Sequence, residues 1–103
     1  MPRPLSTQDR PFPFIPLPNS AHLSVTLPAT VYTYNVPLQA NEVAVQALTQ
    51  NIRFTLDGSA PTATRGFLLK AGDPAVIIPM SSSTTLRFFR ETSGAILELQ
   101  AGT

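Results

Sequence analysis

A small all-β domain is what this sequence predicts: an antiparallel β-sandwich or barrel of seven or eight strands, preceded by an extended proline-rich N-terminal arm. Three observations carry that reading. Eleven of the 103 residues are proline, and proline removes a backbone donor and costs about 3 kcal/mol inside a helix. Short runs place apolar side chains at every second position, the period of a strand with one buried face. Turn-forming residues separate almost every pair of runs, as they do in sandwiches.

The first element is the arm, residues 1–20, and the domain proper is expected over residues 21–103. Six of the eleven prolines (Pro2, Pro4, Pro11, Pro13, Pro16 and Pro18) fall in the first 18 residues. Each fixes its own φ and pushes its predecessor toward extended geometry, so this segment favours polyproline II, rising about 3.1 Å per residue. Flexible linkers are polar, whereas Phe12, Phe14, Ile15 and Leu17 interleave with these prolines. Such side chains gain about 1.5 to 3 kcal/mol each on burial and therefore need a surface to cover. Two surfaces qualify, the arm's own domain or a neighbouring subunit or other protein, and the remaining readings are disorder or a proline-rich ligand for an aromatic groove. The second is the expectation taken forward, with Phe12, Phe14, Ile15 and Leu17 as the partner-binding residues.

The strands follow in order. His22 to Leu27 places Leu23, Val25 and Leu27 on one face and is ended by Pro28. Thr30 to Val36 sets Tyr32, Tyr34 and Val36 against Val31, Thr33 and Asn35, and Pro37 closes it. Val43 to Leu48 puts Val43, Val45 and Ala47 together, with a helical turn as the alternative there. In Ile52-Arg53-Phe54-Thr55-Leu56 the apolar residues again alternate, and Asp57-Gly58 breaks the run. Gly58 is therefore expected at positive φ. A small, polar loop follows to Gly66, then the apolar Phe67-Leu68-Leu69 and a second break at Ala71-Gly72-Asp73-Pro74. Ala75 to Pro79 is a short continuous apolar run. Thr84 to Glu91 and Ala95 to Gln100 flank Thr92-Ser93-Gly94, a tight hairpin with Gly94 at positive φ.

Composition narrows the function classes. About 80 residues beyond the arm can bury roughly 60% of their unfolded surface, enough for a thin two-layer fold. With no cysteine and one histidine, neither disulfides nor a zinc centre is expected. Seven basic and six acidic residues are spread along the chain, which gives no footprint for nucleic acid or membrane. No apolar run approaches the roughly 20 residues of a membrane span, and the early prolines do not suit a Sec signal peptide.

Catalytic, cofactor-binding and metal-binding residues are expected to be none. On a strand, Ser20, His22 and Ser24 share a face without the relay geometry of a triad. Asp57, Ser59 and Asp73 fall short of the six to eight oxygens that calcium takes. Arg87-Phe88-Phe89-Arg90 interleaves charge and aromatic as single-strand nucleic-acid binders do. A strand with Phe88 inward and Phe89 at an interface or second core is the preferred reading.

The residues also carry a resemblance. The stretch IRFTLDGSAPTATRGFLLKAGDP, followed by TTLRFFRE and a closing AILELQ, resembles small structural proteins encoded among the virion genes of tailed bacteriophages. In these the pattern R-[FY]-T-L-D-G-x-x-P-T … G-x-x-L-x-A-G-D-P recurs, with a later LRF-[IF]-R strand. The match covers about residues 51–99. It implies a non-enzymatic capsid decoration, cement or minor capsid protein, a neck or tail component being the variant within that class. The partners implied are the major capsid protein or other virion proteins, in a homo-oligomer, dimer or trimer. The location implied is the virion, assembled in the host cytoplasm. The shorter FTLDGSAPT also resembles the Y-T-x-D-G-S-x-P-T hairpin of immunoglobulin-like modules appended to chitobiases and other glycoside hydrolases. That resemblance implies, as the alternative, a free-standing carbohydrate-associated module.

Overall fold

The computed structural model describes residues 14–18, 20–80 and 84–103. Among them are eight strands and no helix: β1 Leu23–Thr26, β2 Tyr32–Asn35, β3 Glu42–Ala47, β4 Ile52–Thr55, β5 Phe67–Leu69, β6 Val76–Pro79, β7 Thr85–Arg90 and β8 Ile96–Gly102. Each alternating run of the sequence becomes a strand; most are trimmed by a residue or two where a proline or turn interrupts them, β3 is shifted by one residue, and β8 runs on past Gln100 to Gly102. The segment around residues 42–48 is strand β3, because Val43, Val45 and Ala47 all bury their side chains on one face.

The strands form two four-stranded sheets, ordered β1-β8-β3-β6 and β2-β7-β4-β5, and every pairing is antiparallel. A simple construction underlies that order. β1 pairs with β8, β2 with β7, β3 with β6 and β4 with β5, as in one long hairpin whose tip is the β4–β5 loop. Folding the hairpin over adds β3–β8 and β4–β7. This is the jelly-roll arrangement, two sheets face to face rather than a closed barrel.

The core lies between the sheets and draws on both. Leu27, Val43, Val45, Ile78, Leu97 and Leu99 from the first sheet and its flanks meet Tyr34, Ile52, Phe54, Leu69, Leu86 and Phe88 from the second. Phe88 is fully buried and packs obliquely on Phe54, ring centroids 6.1 Å apart, and on Tyr32, 6.5 Å away. Phe89 faces the other way, half-buried on the outer surface of the second sheet. The alternation that orders β7 thus puts these two rings on opposite faces, so Arg87 to Arg90 presents no continuous stacking platform.

β8 is the most completely paired strand. β3 runs along one edge from Ala47↔Leu97 to Glu42↔Gly102. β1 covers the first half of the other edge, from Thr26↔Ile96 to Leu23↔Leu99. The remaining half is taken by residues 15–17. Ile15 and Thr103 exchange backbone hydrogen bonds of 3.0 and 2.8 Å, and the Leu17 amide donates to the Ala101 carbonyl at 3.0 Å. The start of the described chain therefore continues the line of β1 along the first sheet.

Candidate functional site

Of the four residues that the sequence marks for partner contact, Phe12 lies outside the described residues. The other three meet at the β8 edge. Phe14 is 8% exposed, Leu17 is half-buried against the core, and Ile15 is 57% exposed. Alternation separates Phe14 from its neighbour Ile15, and Leu17, on the same side as Ile15, is covered because it lies further along β8, against the core. The Phe14 ring lies where Gly102 has no side chain, and a Cβ on Gly102 would overlap both that ring and the Ile15 carbonyl. Residues 14–17 thus cover their own domain, while Ile15 is presented outward. No local signal in the sequence pairs position 102 with position 14, so this contact was not readable there.

Beside Phe14, the outer face of the first sheet holds a groove of about 280 Å³, with Ala44 in its floor and Phe14, His22, Gln46, Glu98 and Gln100 among its lining. His22 Nε2 donates to Glu98 Oε1 at 2.5 Å, and the Ser24 hydroxyl donates to the other carboxylate oxygen. The Ser24 hydroxyl first, and His22 second, hold the Glu98 carboxyl below its ordinary value. The arrangement is unlike a nucleophilic triad, in which histidine stands between hydroxyl and acid. Here the acid stands in the middle, so no imidazole is placed to take the Ser24 proton, and the carboxylate that receives it is a weakened base. The cross-strand register Ser24↔Glu98 creates the cluster, and His22 and Ser24 without that register did not reveal Glu98.

The β4–β5 loop forms the second region of interest. Asp57 Oδ1 accepts from both the Ser59 amide, at 2.9 Å, and the Ser59 hydroxyl, at 2.6 Å. The Ser59 hydroxyl, then its amide, hold the Asp57 carboxyl below its ordinary value. Gly58 has φ 85°, the expected positive value. The Thr55 hydroxyl donates to the Ser59 carbonyl at 2.5 Å, Pro61 is fully buried, and Thr62 and Arg65 pair across the turn. Arg65 donates to the Ser59 hydroxyl and the Ala60 carbonyl, at 3.2 and 3.1 Å. At Gly66, φ is 123° and a Cβ would stand 2.9 Å from the Phe54 carbonyl oxygen. Below the loop, Arg53 links the Gly66 carbonyl, 3.1 Å away, to Glu91, 2.6 Å away. The residues of the D-G-S-x-P-T … R-G stretch are thus occupied in building the loop.

That loop frames a second cavity of about 380 Å³, lined by Phe54, Leu56, Phe67, Asp57, Ser59 and Arg65 with the backbone around them. Phe54 and Phe67 form its aromatic wall, ring centroids 5.6 Å apart and tilted by 40°. Phe67 is 62% exposed although it sits on a strand, because β5 is the edge of its sheet and nothing in the described residues covers that side. The sequence marked Asp57 and Ser59 as weak candidates for calcium. The structure shows both oxygens engaged in the turn, and no group of three or more potential metal ligands occurs among the described residues.

The fold class is a jelly roll, a scaffold shared by capsid domains, lectins and enzymes alike. Comparison of the chain with protein-family models, with curated proteins and with solved structures returns no match.

Proposed function

We propose that this protein is a non-enzymatic virion structural protein of a tailed bacteriophage, a capsid decoration, cement or minor capsid protein. It stabilises the particle through its β-domain and its extended proline-rich arm, residues 1–20. The observation that supports this reading best is the arm junction. Residues 15–17 are sewn onto β8 by three backbone hydrogen bonds, which gives a proline-rich, apolar segment a fixed point of departure. An anchored arm loses less freedom on docking than a free one, and proline stiffening lowers that cost further. Many copies with modest contacts then add strength, because a lattice holds both partners at high effective concentration. The shared motif residues serve the loop rather than a reaction, in keeping with a protein that works through surfaces. Contacts with neighbouring subunits or other virion proteins are assigned to Phe12 and Ile15, with Phe14 and Leu17 seating the base of the arm.

The deciding experiment is co-sedimentation of the full chain, and of a chain lacking residues 1–13, with capsids of the phage that encodes it. Retention of the full chain and loss of the shortened one is the expected result; equal absence of both from the pellet would refute the reading.

The groove on the first sheet favours one other reading, a carbohydrate-associated module. An aromatic wall at Phe14 beside Gln46, Glu98 and Gln100 combines an apolar surface with hydrogen-bonding groups, as a sugar site requires. A glycan array separates the two: binding of any sugar that Glu98→Gln abolishes supports the module.

A further inference from the structure

We propose that the aromatic cavity at the β4–β5 loop is the receptor for the arm of a second copy, seating its residues 10–13, so that two copies exchange arms about a two-fold axis. The inference rests on the arm being a bridging element, and it names the surface the arm reaches.

The cavity and the arm suit each other chemically. Arg10-Pro11-Phe12-Pro13 offers two pyrrolidine rings, one phenyl ring and a cation. Proline-rich segments dock in aromatic-lined clefts because their extended shape is already set and their rings stack on aromatic faces. Phe67, 62% exposed, supplies such a face, with the buried Phe54 ring behind it and Leu56 beside it. Prolines present carbonyls and no N–H groups, so the cleft must supply donors. Arg65 has five N–H groups, and it bonds Ser59 and Ala60 through one nitrogen, Nη1. Asp57 is kept ionised by Ser59 and answers the charge of Arg10.

Reach decides which copy provides the segment. The described chain begins at Phe14, beside the end of β8 that pairs with the start of β3 through Glu42↔Gly102. β3 runs away from that end and β4 returns to it, so the β4–β5 loop lies at the same end of the sandwich. It lies at the opposite side, however. The β5–β6 turn joins the two sheet edges farthest from β1 and β2, so three strand spacings and the gap between the sheets separate Phe14 from the cavity. At about 4.8 Å per strand and about 10 Å between sheets, that is roughly 17 Å. Residue 10 is four positions from Phe14 and extends about 12 Å from it, and residues 11–13 extend less. These residues therefore fall short of their own cavity. A second copy placed end to end brings each arm to the other's cavity, because arm base and cavity share one end of the domain, and the contact made twice is an isologous interface.

The test uses the full chain in sedimentation velocity over a range of concentrations, with Phe67→Ser disabling the cavity and Phe12→Ser disabling the arm. Phe67 is mostly exposed, so circular dichroism should find the Phe67→Ser chain folded. The expected result is a reversible dimer of the unaltered protein that each substitution weakens at least about tenfold. Mixing the two variants should restore association beyond that of either alone, since the mixed pair retains one intact contact. A protein that stays monomeric, a dimer indifferent to Phe67→Ser, or variants that gain nothing on mixing would each overturn the proposal. Co-sedimentation of the same variants with capsids keeps the readings apart: particle binding without dimer formation removes the cavity as receptor and leaves the virion reading standing.

Discussion

The arm junction and the β4–β5 loop stand at the same end of the molecule, yet they are held by opposite means. The loop is local and polar. Asp57, Ser59, Thr62 and Arg65 bond one another within a few residues, and Gly58 and Gly66 supply backbone conformations that other residues resist. The junction is distant and apolar. Phe14 rests on Gly102, 88 positions later by subtraction of the two residue numbers, and the pairing of residues 15–17 with 101–103 has no side-chain code at all. A local polar loop is written in consecutive letters and can be recognised wherever it occurs. A distant apolar contact is specified only once the whole sheet exists.

Substitutions should separate the two regions by size of effect and by what fails. The largest loss is expected from Gly66→Val, which combines a disfavoured φ with overlap on the Phe54 backbone. About 3 kcal/mol or more should disappear, and the whole domain should melt earlier in calorimetry. Next, removing residues 1–18 deletes Phe14 and Leu17 and uncovers half an edge of β8. That should cost about 3 kcal/mol, whereas removing residues 1–13 alone should cost less than about 1. Equal melting temperatures for the two truncations would mean that the junction contributes nothing to stability. Gly58→Val comes third, with about 1 to 2 kcal/mol, because its φ is unfavourable for a branched residue but open space surrounds it. An unchanged melting temperature would show that the loop absorbs the strain. The smallest effect concerns acid. Glu98 and Asp57 both have folded-state values below their ordinary 4.5 and 3.8. Their contributions are therefore complete above those ordinary values and fade as pH falls through the lowered folded ones. Asp57 is exposed and the half-buried Glu98 borders an open groove, so the decline should be shallow; Glu98→Gln should flatten its part of the curve in pH-dependent urea titrations.

The same contrast explains what could be read in the sequence. The strands were legible because alternation is a short-range signal: Val43, Val45 and Ala47, or Leu86 and Phe88, declare a buried face without knowledge of the partner strand. The turns were legible for the same reason, and Gly58 and Gly94 take the positive φ that their neighbours imply. The order of strands was not. Nothing near Leu23 or Leu97 announces that β1 will lie on β8, and without that register the carboxylate between His22 and Ser24 stays hidden. Nor was it visible that Phe14 and Leu17 are covered while Ile15 is left exposed, because proline-rich sequence gives extended shape but not the surface that receives it. Arg53 and Glu91 likewise meet only because Ile52 stands opposite Arg90.

The seam between residues 15–17 and 101–103 also has a mechanical meaning. Residues 15–17 and 101–103 run antiparallel, so the first segment, traced from Leu17 back to Ile15, runs in the direction in which β8 itself is heading. Tension on the arm, with the body of the domain held fixed, runs along the strand axis and loads all three hydrogen bonds together, as in shear. Tension applied between the arm and Thr103 opens the same seam from one end, a bond at a time. Single-molecule pulling in the two geometries should find a markedly higher rupture force in the first; equal forces would show that the seam does not bear the load. A domain built this way grips hardest when it is dragged by its arm.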